Sequence, residues 1–184
     1  MNIVTGYISA TSGTVLVQGQ DIVAQAAAAK RCIGYLPEQP PLYPDMTVEE
    51  YLRFAAELKG VRPKTARCEA VQAVCDRVGL QGTGRRLIGN LSKGYHQRVG
   101  IAAALLGEPK IIILDEPTVG LDPAQVLEVR SLIRELGKTH TVILSSHILS
   151  EVQSICDDVL ILAHGKLIAR GTPHELAQRL SAKG

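Results

Sequence analysis

Along most of the chain, apolar residues fall into short strand-like runs that alternate with helical stripes. That is the pattern of a parallel sheet with helices packed on its faces, and it predicts an α/β fold. Gly13 to Gly19 alternates in polarity between two glycines and predicts a strand, and Cys32 to Leu36, ending at Pro37, predicts a second. Thr47 with Glu50 makes a capping box for a helix whose Tyr51, Phe54, Ala55 and Leu58 share one face until Gly60. Val71, Val74, Cys75 and Val78 repeat the spacing up to Gly79. These two helices form a helical segment inserted between strands.

Ser92 is a suitable N-cap for a helix reaching about Leu106, with Val99, Ala102, Ala103 and Leu106 facing inward. Ile111 to Leu114 is an aliphatic run of the kind a central parallel strand needs, since helices cover both its faces. Asp122 and Pro123 open the next helix as N-cap and first residue, with Val126, Val129, Ile133 and Leu136 as its stripe and Gly137 as its stop. Thr141 to Leu144 repeats the buried-strand pattern. A helix from about Ile148 to Cys156 is followed by Val159 to Leu162 and Lys166 to Ala169, which flank His164 and Gly165 as a hairpin would. Thr172, Pro173 and Glu175 cap a last helix. No internal repeat, linker or low-complexity tract interrupts the series.

Composition narrows this picture only a little. A chain of 184 residues fits one domain, large enough to bury roughly two thirds of its unfolded surface. Its net charge of +2 gives no electrostatic reason for a nucleic-acid partner. The longest nearly apolar run, Val99 to Gly107, is about half of the ~20 residues a membrane span requires. Met1 to Ile8 lacks the basic and apolar regions of a signal peptide, which predicts a cytosolic chain. Cys32, Cys68, Cys75 and Cys156 form no C-x-x-C pair and no ligand spacing with histidines, so buried free thiols are expected rather than zinc or disulfides.

The chemistry concentrates in Ile111 to Asp122, IIILDEPTVGLD, where a buried strand delivers two consecutive acids to the sheet edge at which open α/β folds bind ligands. One aspartate there would most simply cap the following loop. The second acid changes the balance, because Asp115 and Glu116 together suit Mg²⁺ binding and general-base activation of water beside a nucleotide. Seen singly, Gln39 is a solvated loop residue between prolines, Ser92 a helix cap and His147 a histidine after a strand. Their joint occurrence is what those separate explanations do not supply.

In order, YLPEQ with Gln39, LSKGY from Leu91 to Tyr95, the IIILDEPTVGLD run and SSH with His147 resemble the ATP-binding subunits of ABC transporters. The resemblance extends over essentially the whole chain. It implies a P-loop NTPase-like fold, with a helical signature subdomain at approximately 45 to 105 and a RecA-like core in the remainder. It also implies that Asp115 holds Mg²⁺ through water, with Gln39 sensing the metal from a loop that faces a membrane subunit. Glu116 would polarise the attacking water, His147 contact the γ-phosphate, and Asp122 belong to a loop that communicates across a dimer. Leu91, Ser92, Lys93, Gly94 and Tyr95 would meet ATP held by a second ATP-binding subunit, using the donors and dipole of a helix N-terminus. Lys93 for a glycine and Tyr95 for a glutamine depart from the commonest signature and resemble a subset of exporter ATPases. The partners implied are a transmembrane permease and a second ATP-binding subunit, the cofactors ATP and Mg²⁺, and the location the inner face of the cell membrane.

G-x-x-x-x-G-K-[ST] occurs nowhere in the 184 residues. By the resemblance, Met1 falls just after the end of that loop, so the first strand, the loop and the residue that stacks on adenine would all lie upstream. Without the loop's lysine and amides the β- and γ-phosphates lose most of their ligands. The leading expectation is a fragment of an export ATPase, inactive as it stands. Two others are a loop-less protein that regulates a partner ATPase, and a soluble ABC ATPase of translation or DNA repair. Intact Asp115, Glu116 and His147 weigh against the former, and the absence of a second cassette or coiled-coil insertion against the latter.

Overall fold

The computed structural model describes residues 1–181. They form two compact units that meet in sequence between Ser145 and Ser146. The first holds a parallel sheet of β3 (Ile33–Leu36), β4 (Ile111–Asp115) and β5 (Thr141–Ser145), in the order β3-β4-β5. Ile33 lies opposite Ile111 and Leu36 opposite Leu114, while Asp115 lies opposite Ser145, so the three carboxyl ends are level. The central strand is the most apolar. Ile112, Ile113 and Leu114 are wholly buried, as a strand covered on both faces requires.

On one face Ile33 and Ile113 pack with Val17, Ile22 and Ala29, and Met1, Val4 and Tyr35 close over them. These contacts come from the first residues, from the hairpin of β1 (Leu16–Val17) and β2 (Gln20–Asp21), and from α1 (Ala26–Arg31). On the other face lies α4 (Lys93–Leu105), brought close by glycines. A Cβ on Gly100 would stand 2.5 Å from Leu36 Cδ1, and one on Gly34 would strike the Ala104 backbone and Pro109.

α2 (Val48–Leu58) and α3 (Lys64–Val78) are the inserted helices. The capping box of α2 forms as expected: the Glu50 amide donates to Thr47 Oγ1 at 3.3 Å, and the Thr47 amide to Glu50 Oε2 at 2.8 Å. Gly79 ends α3 in the left-handed conformation, φ 72°. Lys59, just past α2, sends its ammonium to the Ala104 carbonyl at 2.8 Å and so satisfies one of the orphan acceptors at the end of α4. α5 (Pro123–Gly137) starts at Asp122 and Pro123 and buries Val129, Ile133 and Leu136.

The second unit contains α6 (Leu149–Ile155), the antiparallel hairpin of β6 (Val159–Ala163) and β7 (Lys166–Gly171), and α7 (Pro173–Ser181). His164 and Gly165, both at positive φ, make its turn, and Thr172 with Glu175 reciprocally cap α7. No helix among the described residues is long and apolar enough to cross a membrane.

Several sequence expectations change. The strand expected over Gly13 to Gly19 shrinks to two residues, because Gln18 and Gly19 both take positive φ and turn the chain into β2. In α4 it is Ala104 that is buried, and Ala103 only partly. Among the described residues the run at Thr141 to Leu144 is an edge strand rather than a buried one: β4 is its one neighbour there, and Ile143 stays 38% exposed. Of the four thiols, all free, only Cys75 is buried, where burial and two neighbouring acids push it up to about 11. Gly137 is the last residue of α5 rather than a stop beyond it.

Candidate functional site

At the carboxyl end of β4 the chain leaves the sheet through Asp115, Glu116 and Pro117. Glu116 takes φ 48°, a left-handed conformation that costs a residue with a Cβ about 1–2 kcal/mol and is further disfavoured before proline. Its amide donates to both the backbone carbonyl of Ser145, at 3.2 Å, and the Ser145 hydroxyl, at 3.1 Å. The same hydroxyl donates to Asp115 Oδ1. One side chain at the end of β5 therefore grips both acids. From the opposite strand, Tyr35 is held above the ordinary phenol range first by burial, then by the Asp115 charge and a hydrogen bond to its carboxylate.

Gln39 lies in the exposed loop after β3, whose carboxyl end is level with that of β4. The segment Leu91 to Tyr95 starts α4, with Ser92 at the N-cap position in an extended conformation. Its hydroxyl makes no capping bond and stays available to another partner. Gly94 is buried because the Gln125 side-chain amide rests on it: a Cβ there would stand 2.6 Å from Gln125 Cδ. In return the Lys93 side chain lies across Gly120, at φ 70°, with its Cδ 3.6 Å from where a Cβ would be. Asp122, exposed, accepts from the Gln125 amide at 2.9 Å and caps α5. Arg98 ties α4 to its neighbours, donating to the Val78 carbonyl at 2.6 Å and pairing with Glu128.

Two groupings result within the first unit: Asp115, Glu116, Ser145 and Tyr35 at the sheet edge, and Lys93, Gly94, Gly120, Asp122 and Gln125 where α4 and α5 begin. Leu91 is half-buried and Tyr95 exposed beside the latter. His147 belongs to the second unit, exposed in the turn that precedes α6. The serines of the SSH motif and Gln125 carried no role in the sequence reading. A polar residue ending an apolar strand is the one trace of Ser145 in the sequence, and by itself it assigns no role.

No group of three or more His, Cys, Asp or Glu side chains able to hold a metal occurs among the described residues. Asp115 with its fixed carboxylate fits a different arrangement, in which Mg²⁺ takes one carboxylate from the protein and its other ligands from phosphates and water.

An ATP-binding cassette is the class that this sheet edge and helix start define, and the comparisons with known proteins agree. The family model described as ABC transporter matches residues 1–119, and the chain belongs to that family. It is 36% identical over 169 residues to a lantibiotic transport ATP-binding protein of Streptococcus pyogenes, spanning 70% of that protein. It is 41% identical over 165 residues to a bacitracin transport ATP-binding protein of Bacillus licheniformis, and 37% identical over 179 residues to an uncharacterized ABC transporter ATP-binding protein of Bacillus subtilis. It spans 53% and 59% of those two proteins, so its length is little over half of theirs. Among solved structures, cbiO1 from Clostridium perfringens, part of the ABC transporter complex cbiONQ, superposes with a TM-score of 0.86 at 29% identity. That match covers 98% of this chain and 74% of the other. The expected P-loop NTPase-like α/β fold is thereby established.

Proposed function

We propose that this chain is the greater part of the ATP-binding subunit of an ABC exporter, a transport-coupled ATPase working through a separate membrane permease. One observation carries the reading: two consecutive acids at the carboxyl end of the central strand, one with its carboxylate fixed and the other held in a strained conformation beside it. Bound Mg²⁺·ATP supplies the electrophilic γ-phosphate and the charge that the metal shares with it. Asp115 holds the metal, Gln39 senses it, and Glu116 takes a proton from the attacking water. His147 contacts the γ-phosphate. Leu91 to Tyr95 serve ATP bound by a second subunit, since the start of α4 presents backbone donors and the Ser92 hydroxyl outward. Asp122 links the two subunits.

The relatives named for bacitracin transport, lantibiotic transport and linearmycin resistance support an export role. Cargo choice rests with the permease. The protein works at the inner face of the cell membrane as a dimer, without nucleic acid. The division into a helical subdomain at approximately 45 to 105 and a RecA-like remainder follows from the same reading, with α2, α3 and α4 largely inside the former. A loop-less regulatory subunit is the second reading, favoured by the absence of G-x-x-x-x-G-K-[ST] from the sequence.

The test is Glu116→Gln in the chain preceded by a segment that carries the phosphate-binding loop. ATP binding is retained, because amide and carboxylate are nearly isosteric, while hydrolysis falls by roughly 10²- to 10⁴-fold. Near-normal turnover removes Glu116 as the base; no hydrolysis by the unmutated protein favours the regulatory reading.

A further inference from the structure

We infer that Ser145 is a positioning residue for both acids, its hydroxyl setting the orientation of the Asp115 carboxylate and holding Glu116 in its left-handed conformation. The inference rests on the reading of Asp115 as metal-holding and Glu116 as base. Its physical basis lies in the directions of the hydrogen bonds. A hydroxyl has one proton to give and lone pairs to receive, and here the proton goes to Asp115 Oδ1 while a lone pair takes the Glu116 amide at 3.1 Å. The two interactions polarise each other in the same sense. The Ser145 carbonyl accepts from the same amide at 3.2 Å, so a side chain without the hydroxyl keeps only part of this grip.

Register makes the arrangement possible. Asp115 and Ser145 are direct neighbours on adjacent parallel strands, so the hydroxyl meets the carboxylate sideways rather than from the solvent. With Tyr35 bonding the same carboxylate from β3, the strands on both sides of β4 fix its orientation at the sheet edge. Glu116 is strained and followed by proline, and its own carbonyl accepts from the Val119 amide at 3.2 Å, which restrains it from the side of the next turn. Ser145 restrains it from the other. In this way the end of β5 sets where the acids of β4 point.

Amide hydrogen exchange read residue by residue in the 184-residue chain tests the inference. Ser145→Ala speeds exchange at Glu116 roughly tenfold while Ile113 and Leu114 stay as protected as before, and Ser145→Thr, which keeps the hydroxyl, restores the slow rate. Equal protection of Glu116 in the serine and alanine forms overturns the inference, as does a threonine form no better than alanine. Should Ser145→Ala unfold, Ile113 and Leu114 report it, and Ser145→Cys against Ser145→Thr replaces the comparison, a thiol being a weak donor. A second arm uses Mn²⁺ alone. Selective broadening of the Asp115 amide is expected at roughly tenfold lower Mn²⁺ in the wild type than in Ser145→Ala. Equal broadening in the two forms counts against positioning. No selective broadening in the wild type counts against Asp115 as a metal residue, and the exchange arm then decides on Ser145 by itself.

Discussion

The placement of α4 depends on a glycine in β3, and Gly34→Ala measures how strictly. A Cβ on Gly34 would stand 2.9 Å from Pro109 Cγ and 3.0 Å from the Ala104 carbonyl carbon, and closer still to its oxygen. None of these atoms is the free end of a flexible side chain. Ala104 is helical backbone, and its carbonyl is also tied to Lys59 Nζ at 2.8 Å. Accommodation therefore requires α4 to lift from the sheet, taking with it contacts of Leu36 and Gly100. Overpacking of this kind costs about 1–3 kcal/mol. Against it stands the lower unfolded-state entropy of alanine, about 0.4–1 kcal/mol. Net destabilisation of about 1–2 kcal/mol remains. Gly137→Ala is the control: it is helical, nothing lies within 4 Å of its added Cβ, and propensity alone predicts stabilisation of up to about 1 kcal/mol. Urea midpoints of the three proteins, at constant slope, give the comparison. If Gly34→Ala unfolds at the wild-type midpoint, or Gly137→Ala falls as far as Gly34→Ala, the steric reasoning fails.

Other outcomes follow from the same geometry. With the phosphate-binding loop supplied, His147→Ala suppresses turnover, and an unchanged rate of phosphate release returns it to the structural histidines. Burial lowers Lys59 from 10.5 to about 8, so between those values the unfolded chain binds more protons and stability rises with pH. Lys59→Met abolishes that rise, on the order of 3 kcal/mol at most, which is read as a wild-type minus variant difference because Cys75, pushed up to about 11, acts in the opposite sense. The 184-residue chain alone binds Mg·ATP weakly or not at all in calorimetric titration and releases no phosphate above background, since no G-x-x-x-x-G-K-[ST] loop is present. Robust hydrolysis by it would force a search for a substitute phosphate site.

What could be read from sequence was whatever a few neighbouring residues decide. Thr47 with Glu50, Asp122 with Pro123, Thr172 with Glu175 and the left-handed Gly79 act within one turn of chain, and each stands where its spacing placed it. The short β1 escaped because Gln18, a residue that rarely takes positive φ, shares its turn with Gly19. Exposure of β5 escaped for another reason: its composition is that of a covered strand, and only the strand order reveals that one side has no neighbour among the described residues. The acids at the end of β4 were legible as chemistry because an apolar strand rarely ends in two carboxylates. Ser145 was not, because it meets them only through the β4 and β5 register, across 29 and 30 residues of sequence.

The departures in the signature segment also acquire a physical account. A lysine replaces glycine at the first residue of α4, and a long side chain there needs somewhere to lie. Gly120 supplies it: at φ 70° and without a Cβ, it leaves the space that the end of the Lys93 side chain, ammonium and last methylenes, occupies. The neighbouring position works in the opposite direction, for Gly94 has no side chain and the Gln125 amide fills the space. Each helix start thus contributes one glycine and receives one long side chain from the other. Tyr95, 37% exposed, takes no part in this exchange. With Arg98 pairing Glu128 further along, the start of α4 is bound to the start of α5, and hence to the loop that follows Asp115 and Glu116. The signature residues are thus tied to that loop by packed side chains as well as by the long backbone path between them.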